Sequence, residues 1–138
     1  LVVITPNTEK YQVLHQNIED ISWISGECLI MREEGSGTRK EAGKQLRNAG
    51  INLDKLKIIA SIENQETIKK SVKQGMGISI ISRLAAEEET KSGDLLTFPI
   101  PKADQGRDIN LVYNKNYQIS KSAERFVKVV KEVYGIEE

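Results

Sequence analysis

The stretch LKIIASIENQETIKKSVKQGMGISII, Leu56–Ile81, decides the fold. It opens with an apolar, β-branched run, Leu56 to Ile62, of the kind that suits a half-buried strand. Asn64 then stands where a helix needs its N-cap, and Ile68 and Val72, four residues apart, share one face of the helix that follows. Gly75 supplies a left-handed stop, and Gly77 to Ile81 returns to strand. Strand, helix and strand in 26 residues make a βαβ unit, which predicts parallel strands and a right-handed crossover.

Upstream, Leu1 to Thr5 is a strand closed by Pro6 and Asn7. The chain begins inside that strand with neither an initiating Met nor a leader, so it is expected to be a piece of something longer. Lys10 to Gln16 fits a short helix or a loop. Ile18, Ile21 and Ile24 mark an amphipathic turn with Trp23 packed beside it, and Cys28 to Met31 is the next strand. From Gly37 a helix carries Ala42, Leu46 and Ala49 inward, turns Arg39, Lys40, Lys44 and Arg47 outward, and stops at Gly50.

Downstream, a short helix from Leu84 to Lys91 stops at Gly93. Leu95 to Phe98 is a strand, Pro99 to Gly106 a connection, and Asp108 to Tyr113 alternates as a further strand. Ser120 caps a last helix with Ala123, Phe126, Val127, Val130, Val133 and Tyr134 on one stripe and Gly135 as its stop. Strands alternating with helices predict an α/β fold with mostly parallel pairing.

The chain has 138 residues, enough for one domain or two small lobes. Lys plus Arg and Asp plus Glu number 20 each, and the charges are interleaved. Such a surface carries no electrostatic footprint for nucleic acid. The apolar runs are far shorter than a membrane span, and the expectation is a cytoplasmic protein with no membrane partner. Cys28 and His15 are the only cysteine and histidine. No disulfide within the chain, thiolate zinc site or cofactor is therefore expected, and Cys28 reads as a buried, inert thiol rather than as the nucleophile of a Cys28/His15 pair.

Arg32 to Arg39 reads Arg-Glu-Glu-Gly-Ser-Gly-Thr-Arg between a strand and a helix. Gly35 and Gly37 allow close approach of the backbone, Ser36 and Thr38 add hydroxyls, and the helix start offers free N–H groups, so the turn suits a small anion. It equally suits a plain strand-to-helix turn with Ser36 as N-cap. Nucleotide motifs fail on spacing. Gly43-Lys44 is followed by Gln45 where a phosphate loop needs Ser or Thr, and a dinucleotide fingerprint would need glycine where Lys40 stands. A second polar turn, Ser61 to Glu66, also closes a strand and opens a helix. If the two strands are parallel neighbours, both turns lie on one sheet edge and face one cleft, a role Asn64 can combine with capping. Glu33 and Glu34 are adjacent and cannot face each other, and Glu87, Glu88 and Glu89 read as a solvated face.

In this order the elements resemble the effector-binding domain of LysR-type transcriptional regulators. Glu33 to Arg39 after a short strand is similar to that family's cleft turn, and Glu63 to Ser82 resembles its most diagnostic stretch. The resemblance implies an α/β, periplasmic-binding-protein-like fold: one complete lobe, two crossing strands and the C-terminal helix of the other lobe. It places a crossing strand at 1–6, the second lobe at 7–98, and the return strand and first-lobe helix at 99–138. The family's cleft contacts carry over to Ser36, Gly37 and Thr38, with Arg39 and Asn64 beside them and Thr5 at the hinge.

The resemblance implies a non-catalytic sensor. A small anionic effector, carboxylate or oxyanion, would shift a homodimer or higher oligomer on DNA, and DNA would be touched only through a helix-turn-helix domain absent from this chain. The alternative is a solute- or oxyanion-binding module of a transport system. Without the first lobe, the Phe126, Val127, Val130 and Val133 stripe is expected to be exposed or covered by a partner chain.

Overall fold

The computed structural model describes residues 1–103 and 108–136, which form two compact units divided between them. In the first unit the chain runs β1 (Val2–Pro6), α1 (Glu9–Leu14), β2 (Cys28–Met31), α2 (Gly37–Asn48), β3 (Lys57–Ser61), α3 (Gln65–Lys73), β4 (Ile78–Ile81), α4 (Glu87–Ser92) and β5 (Leu95–Pro99), with short 3₁₀ turns between some of them.

The five strands form one sheet in the order β3-β2-β4-β1-β5. β2 pairs parallel with both β3 and β4, whereas β1 pairs antiparallel with β4 and with β5. The βαβ unit read from Leu56 to Ile81 is present, with β2 inserted between its two strands. β1 is a central strand, and all five of its residues are buried.

Side chains alternate across the pleat. Val3, Leu29, Met31, Ile78, Ile80 and Phe98 meet α1 and α2 on one face, where Leu46 and Ala42 are fully buried. Ile4, Ile30, Ile81 and Leu95 meet Ile68 and Val72 of α3 on the other. Trp23 sits edge-on to Phe98 at 4.9 Å between ring centroids, the packing role expected of it. Gly77 marks the closest backbone approach, since a Cβ there would lie 2.6 Å from the Cys28 carbonyl oxygen.

Some expectations change. Ile21 and Ile24 are buried, but Ile18 is exposed. Cys28 is free and only half-buried. His15 is engaged elsewhere, its Nε2 2.9 Å from the Thr97 carbonyl and its ring edge-on to Phe98. Glu89 is no solvated bystander. It pairs at 2.7 Å with Lys69, which also meets Glu66 at 2.9 Å and is itself 6% exposed. The acidic run looked uniform in sequence, yet only Glu89 faces the ammonium that α3 buries.

The second unit holds α5 (Lys121–Tyr134), capped by Ser120 and ended by Gly135 at φ +63°. None of its residues is buried. Asp108–Tyr113, expected as a strand, carries no ladder. Alternation prepares a strand's faces, but a strand exists only where a neighbour pairs with it, and the described residues of this unit include no strand. The expected connection Pro99–Gly106 lies partly outside the described residues.

Candidate functional site

β2, β3 and β4 all point their carboxyl ends to one edge of the sheet. From β2 the chain passes to α2 on the first face, and from β4 it passes to the turn holding Ala86 on the second. Diverging connections of this kind open a crevice between the carboxyl ends of two adjacent strands, the usual ligand position in open α/β sheets.

The turn after β2 is built from local chemistry. Arg32 donates from Nε and Nη2 to the two carboxylate oxygens of Glu33 at 2.9 and 3.1 Å. That guanidinium holds the Glu33 carboxyl below its ordinary range. The Ser36 N–H returns to the Glu33 carbonyl at 3.2 Å, and Gly35 takes φ +88°, a left-handed conformation that any side chain would strain. Ser36 caps α2, its Oγ accepting from the Arg39 N–H at a long 3.4 Å while its carbonyl accepts from Lys40 N–H at 3.0 Å.

The second turn lies beside the first. A bulge adds Ile59 to β3, so that Ser61 comes level with Met31, the last residue of β2. Ile62 N–H then donates to the Met31 carbonyl at 2.9 Å. Arg39 closes the link. Its Nη1 donates to the Ser61 hydroxyl at 2.8 Å and to the Arg32 carbonyl at 2.9 Å. Glu34, Gly35, Ser36, Arg39 and Lys40 line a shallow, open depression of about 330 Å³ at this edge.

The sequence-predicted residues therefore separate into three groups. Ser36, Gly37 and Arg39 gather at the start of α2, with Ser61 against Arg39. Thr38 belongs to the same turn of helix but is 6% exposed, because it lies four residues before Ala42 on the inward stripe. Asn64 is exposed and caps α3, its Oδ1 accepting from Thr67 N–H at 3.1 Å. Thr5 stands apart. It is fully buried in β1, donates to the Pro6 carbonyl at 3.2 Å, and lies three residues down the strand from Val2, the residue level with Ile81. At the rise of a strand that is about 10 Å from the crevice edge. The reason is direction: β1 runs antiparallel to β4, so its carboxyl end faces the opposite edge.

Arg39 also departs from its expected outward position, being half-buried and committed to two acceptors. Ser61 was visible in the sequence as the end of a strand, but nothing there tied it to Arg39, which is 22 residues away. Among the described residues no group of three or more His, Cys, Asp or Glu side chains could hold a metal ion. No helix among them is long and apolar enough to cross a membrane.

A family model described as LysR substrate binding domain matches residues 1–135. The HTH-type transcriptional regulator CbbR of Rhodospirillum rubrum is 32% identical over 108 residues, covering 78% of this chain and 35% of that protein. The chain spans 32% to 44% of the length of three such curated relatives. Among solved structures, the regulatory domain of Synechocystis PCC6803 CcmR in complex with 2-PG is similar with a TM-score of 0.71 and 23% identity, over 96% of this chain and 61% of that one. The effector binding domain of QuiR in complex with shikimate gives 0.71 and 20%, over 92% and 57%. These structural likenesses are likenesses of fold, a mixed α/β architecture of the periplasmic-binding-protein kind.

Proposed function

This chain belongs to the LysR substrate-binding domain family, and on that premise we propose that it is the ligand-sensing part of a LysR-type transcriptional regulator, holding a small anionic effector at the start of α2. The observation that carries the reading is the Arg39 bridge, which joins the two polar turns into one rim at the carboxyl ends of the neighbouring strands β2 and β3. A rim made of helix-start amides, the Ser36 hydroxyl, Arg39 and Lys40 suits an oxyanion or a carboxylate. The complexes of CcmR with 2-PG and of QuiR with shikimate suggest the chemical class.

In this reading residues 7–98 are the second lobe, 1–6 a crossing strand, and 99–138 the return segment and a helix of the first lobe. The effector sits between lobes, stabilises their closed arrangement over the open one, and so shifts the regulator's oligomer on DNA. DNA contact belongs to a helix-turn-helix domain outside this sequence, the protein assembles at least as a dimer, and it works in the cytoplasm. The sensor role carries no turnover, and family membership favours it over a carrier of solutes.

Calorimetric titration of the chain and of the full-length regulator with 2-PG, shikimate and inorganic phosphate tests the site. Loss of one charge-assisted contact weakens binding by roughly tenfold. Ser36→Ala and Arg39→Ala are each expected to do so for the anion that binds. An affinity unchanged by both would remove the site from this edge.

A further inference from the structure

We propose that Ser61 is a positioning residue for anion capture, acting through Arg39; the inference rests on the reading of α2 as the anion-binding edge. The Nη1 of Arg39 has two hydrogens and faces two acceptors, the Ser61 hydroxyl at 2.8 Å and the Arg32 carbonyl at 2.9 Å. Both acceptors stand at the carboxyl ends of neighbouring parallel strands, Arg32 directly after β2 and Ser61 as the last residue of β3, and Arg39 itself belongs to the first turn of α2. One nitrogen thus ties β2, β3 and the helix start together. A guanidinium offers five N–H donors in a rigid fork. Two are used here, which leaves the Nε and Nη2 edge for a planar or tetrahedral oxyanion in a bidentate pair.

The anchor matters because the cap is slack. Ser36 Oγ accepts from the Arg39 N–H at 3.4 Å, longer than a well-formed bond of this type. The bonds at the far end of the same residue, from Nη1 to Ser61 and to the Arg32 carbonyl, therefore add to the 3.0 Å backbone bond from Lys40 N–H to the Ser36 carbonyl in orienting the first turn. An anchored Arg39 loses little freedom when the anion arrives, whereas an unanchored one must be ordered at that moment. A lysine has no fork and could not hold two acceptors while presenting a further pair of donors. The bulge at Ile59 is part of the device, since it brings Ser61 level with Met31.

The test combines binding with amide exchange on this chain. Ser61→Ala is expected to weaken binding of 2-PG or inorganic phosphate by about fivefold, the size of one ordinary hydrogen bond, because the lost bond acts on the anion only through Arg39. Ser61→Thr, which keeps the hydroxyl, should bind within about twofold of the parent. In the Arg39→Ala background, adding Ser61→Ala should change nothing further, because the interaction runs through Arg39. Without any ligand, Ser61→Ala should speed hydrogen exchange of the Arg39 and Lys40 amides while leaving the amides of β4 unchanged.

A Ser61→Ala protein with parental affinity and parental exchange at α2 would overturn the inference. So would an affinity loss that persists in the Arg39→Ala background. If the parent chain binds neither probe, the functional reading fails on its own, and the exchange measurement still decides whether Ser61 orders the helix start.

Discussion

Helices α3 and α5 are written alike and end differently. Each has a capping side chain, Asn64 accepting from Thr67 N–H at 3.1 Å and Ser120 from Ala123 N–H at 3.2 Å. Each is followed by a glycine in the left-handed region, Gly75 and Gly135. Each carries an apolar stripe at helical spacing. Yet Ile68 and Val72 of α3 are fully buried, whereas Phe126 and Val133 of α5 are 59% and 69% exposed. Caps, period and stop are local properties of a chain, and they make a helix. Burial of its stripe is a property of what lies opposite, which for α3 is the sheet face of Ile4, Ile30 and Ile81.

The sharpest break of this comparison is truncation of each stripe. Ile68→Ala is expected to cost about 3 kcal/mol in urea unfolding followed by circular dichroism, the usual range for a fully buried aliphatic side chain. Phe126→Ala in the same chain should cost less than about 0.5 kcal/mol, as for an exposed site. Comparable losses would mean that α5 is covered in solution.

Next in size is the hand-over from α3 into the sheet. Gly77→Ala places a Cβ 2.6 Å from a backbone oxygen, and a clash with backbone rather than with a flexible side chain should cost about 2–3 kcal/mol. A thermal midpoint equal to the parent's would show that β4 can draw away from β2 without loss.

The buried charge on α3 follows. Lys69→Met leaves Glu89 in a part-buried position without its ammonium, and about 2 kcal/mol of stability should be lost near neutral pH. Burial opposes the charged forms of both residues, but the Lys69 pairings with Glu66 and Glu89 outweigh it, raising the amine and lowering the Glu89 carboxyl. For Glu89 the stabilisation is present above the ordinary carboxyl value of 4.5 and is lost as pH falls through its lower folded value. For Lys69 it is present below 10.5 and is lost as pH rises through its higher folded value. The gap between parent and Lys69→Met should therefore narrow in acid, as unfolding curves at neutral and acid pH would show. A gap independent of pH would assign the loss to packing alone.

The smallest effect compares the caps. Asn64→Ala should cost about 1 kcal/mol of cooperative unfolding. Ser120→Ala should lower the helical signal of α5 while leaving the main transition in place. A main transition shifted equally by both would join α5 to the folding unit of the sheet.

Much of the fold was legible because its signals are short-range. Four predicted glycine stops, Gly50, Gly75, Gly93 and Gly135, all lie at positive φ, and the caps at Ser36, Asn64 and Ser120 accept the bonds expected of them. The candidate site was half legible. The turn at Ser36 stood out by composition, but the burial of Thr38, the distance of Thr5 and the tie from Arg39 to Ser61 depend on which strands are neighbours and which way they run. Asp108–Tyr113 shows the converse, a strand pattern with no ladder.

The amino-acid sequence by itself determined the succession of strands and helices, their ends, and the polar character of both turns, because capping, φ preference and side-chain period act within a few residues. Only the tertiary structure decided that β2 lies between the strands of the βαβ unit, that β1 runs against its neighbours, and that Arg39 joins Ser61 across the edge. Pairing partners and ion pairs are chosen by the whole sheet, where a side chain's worth depends on groups tens of residues away.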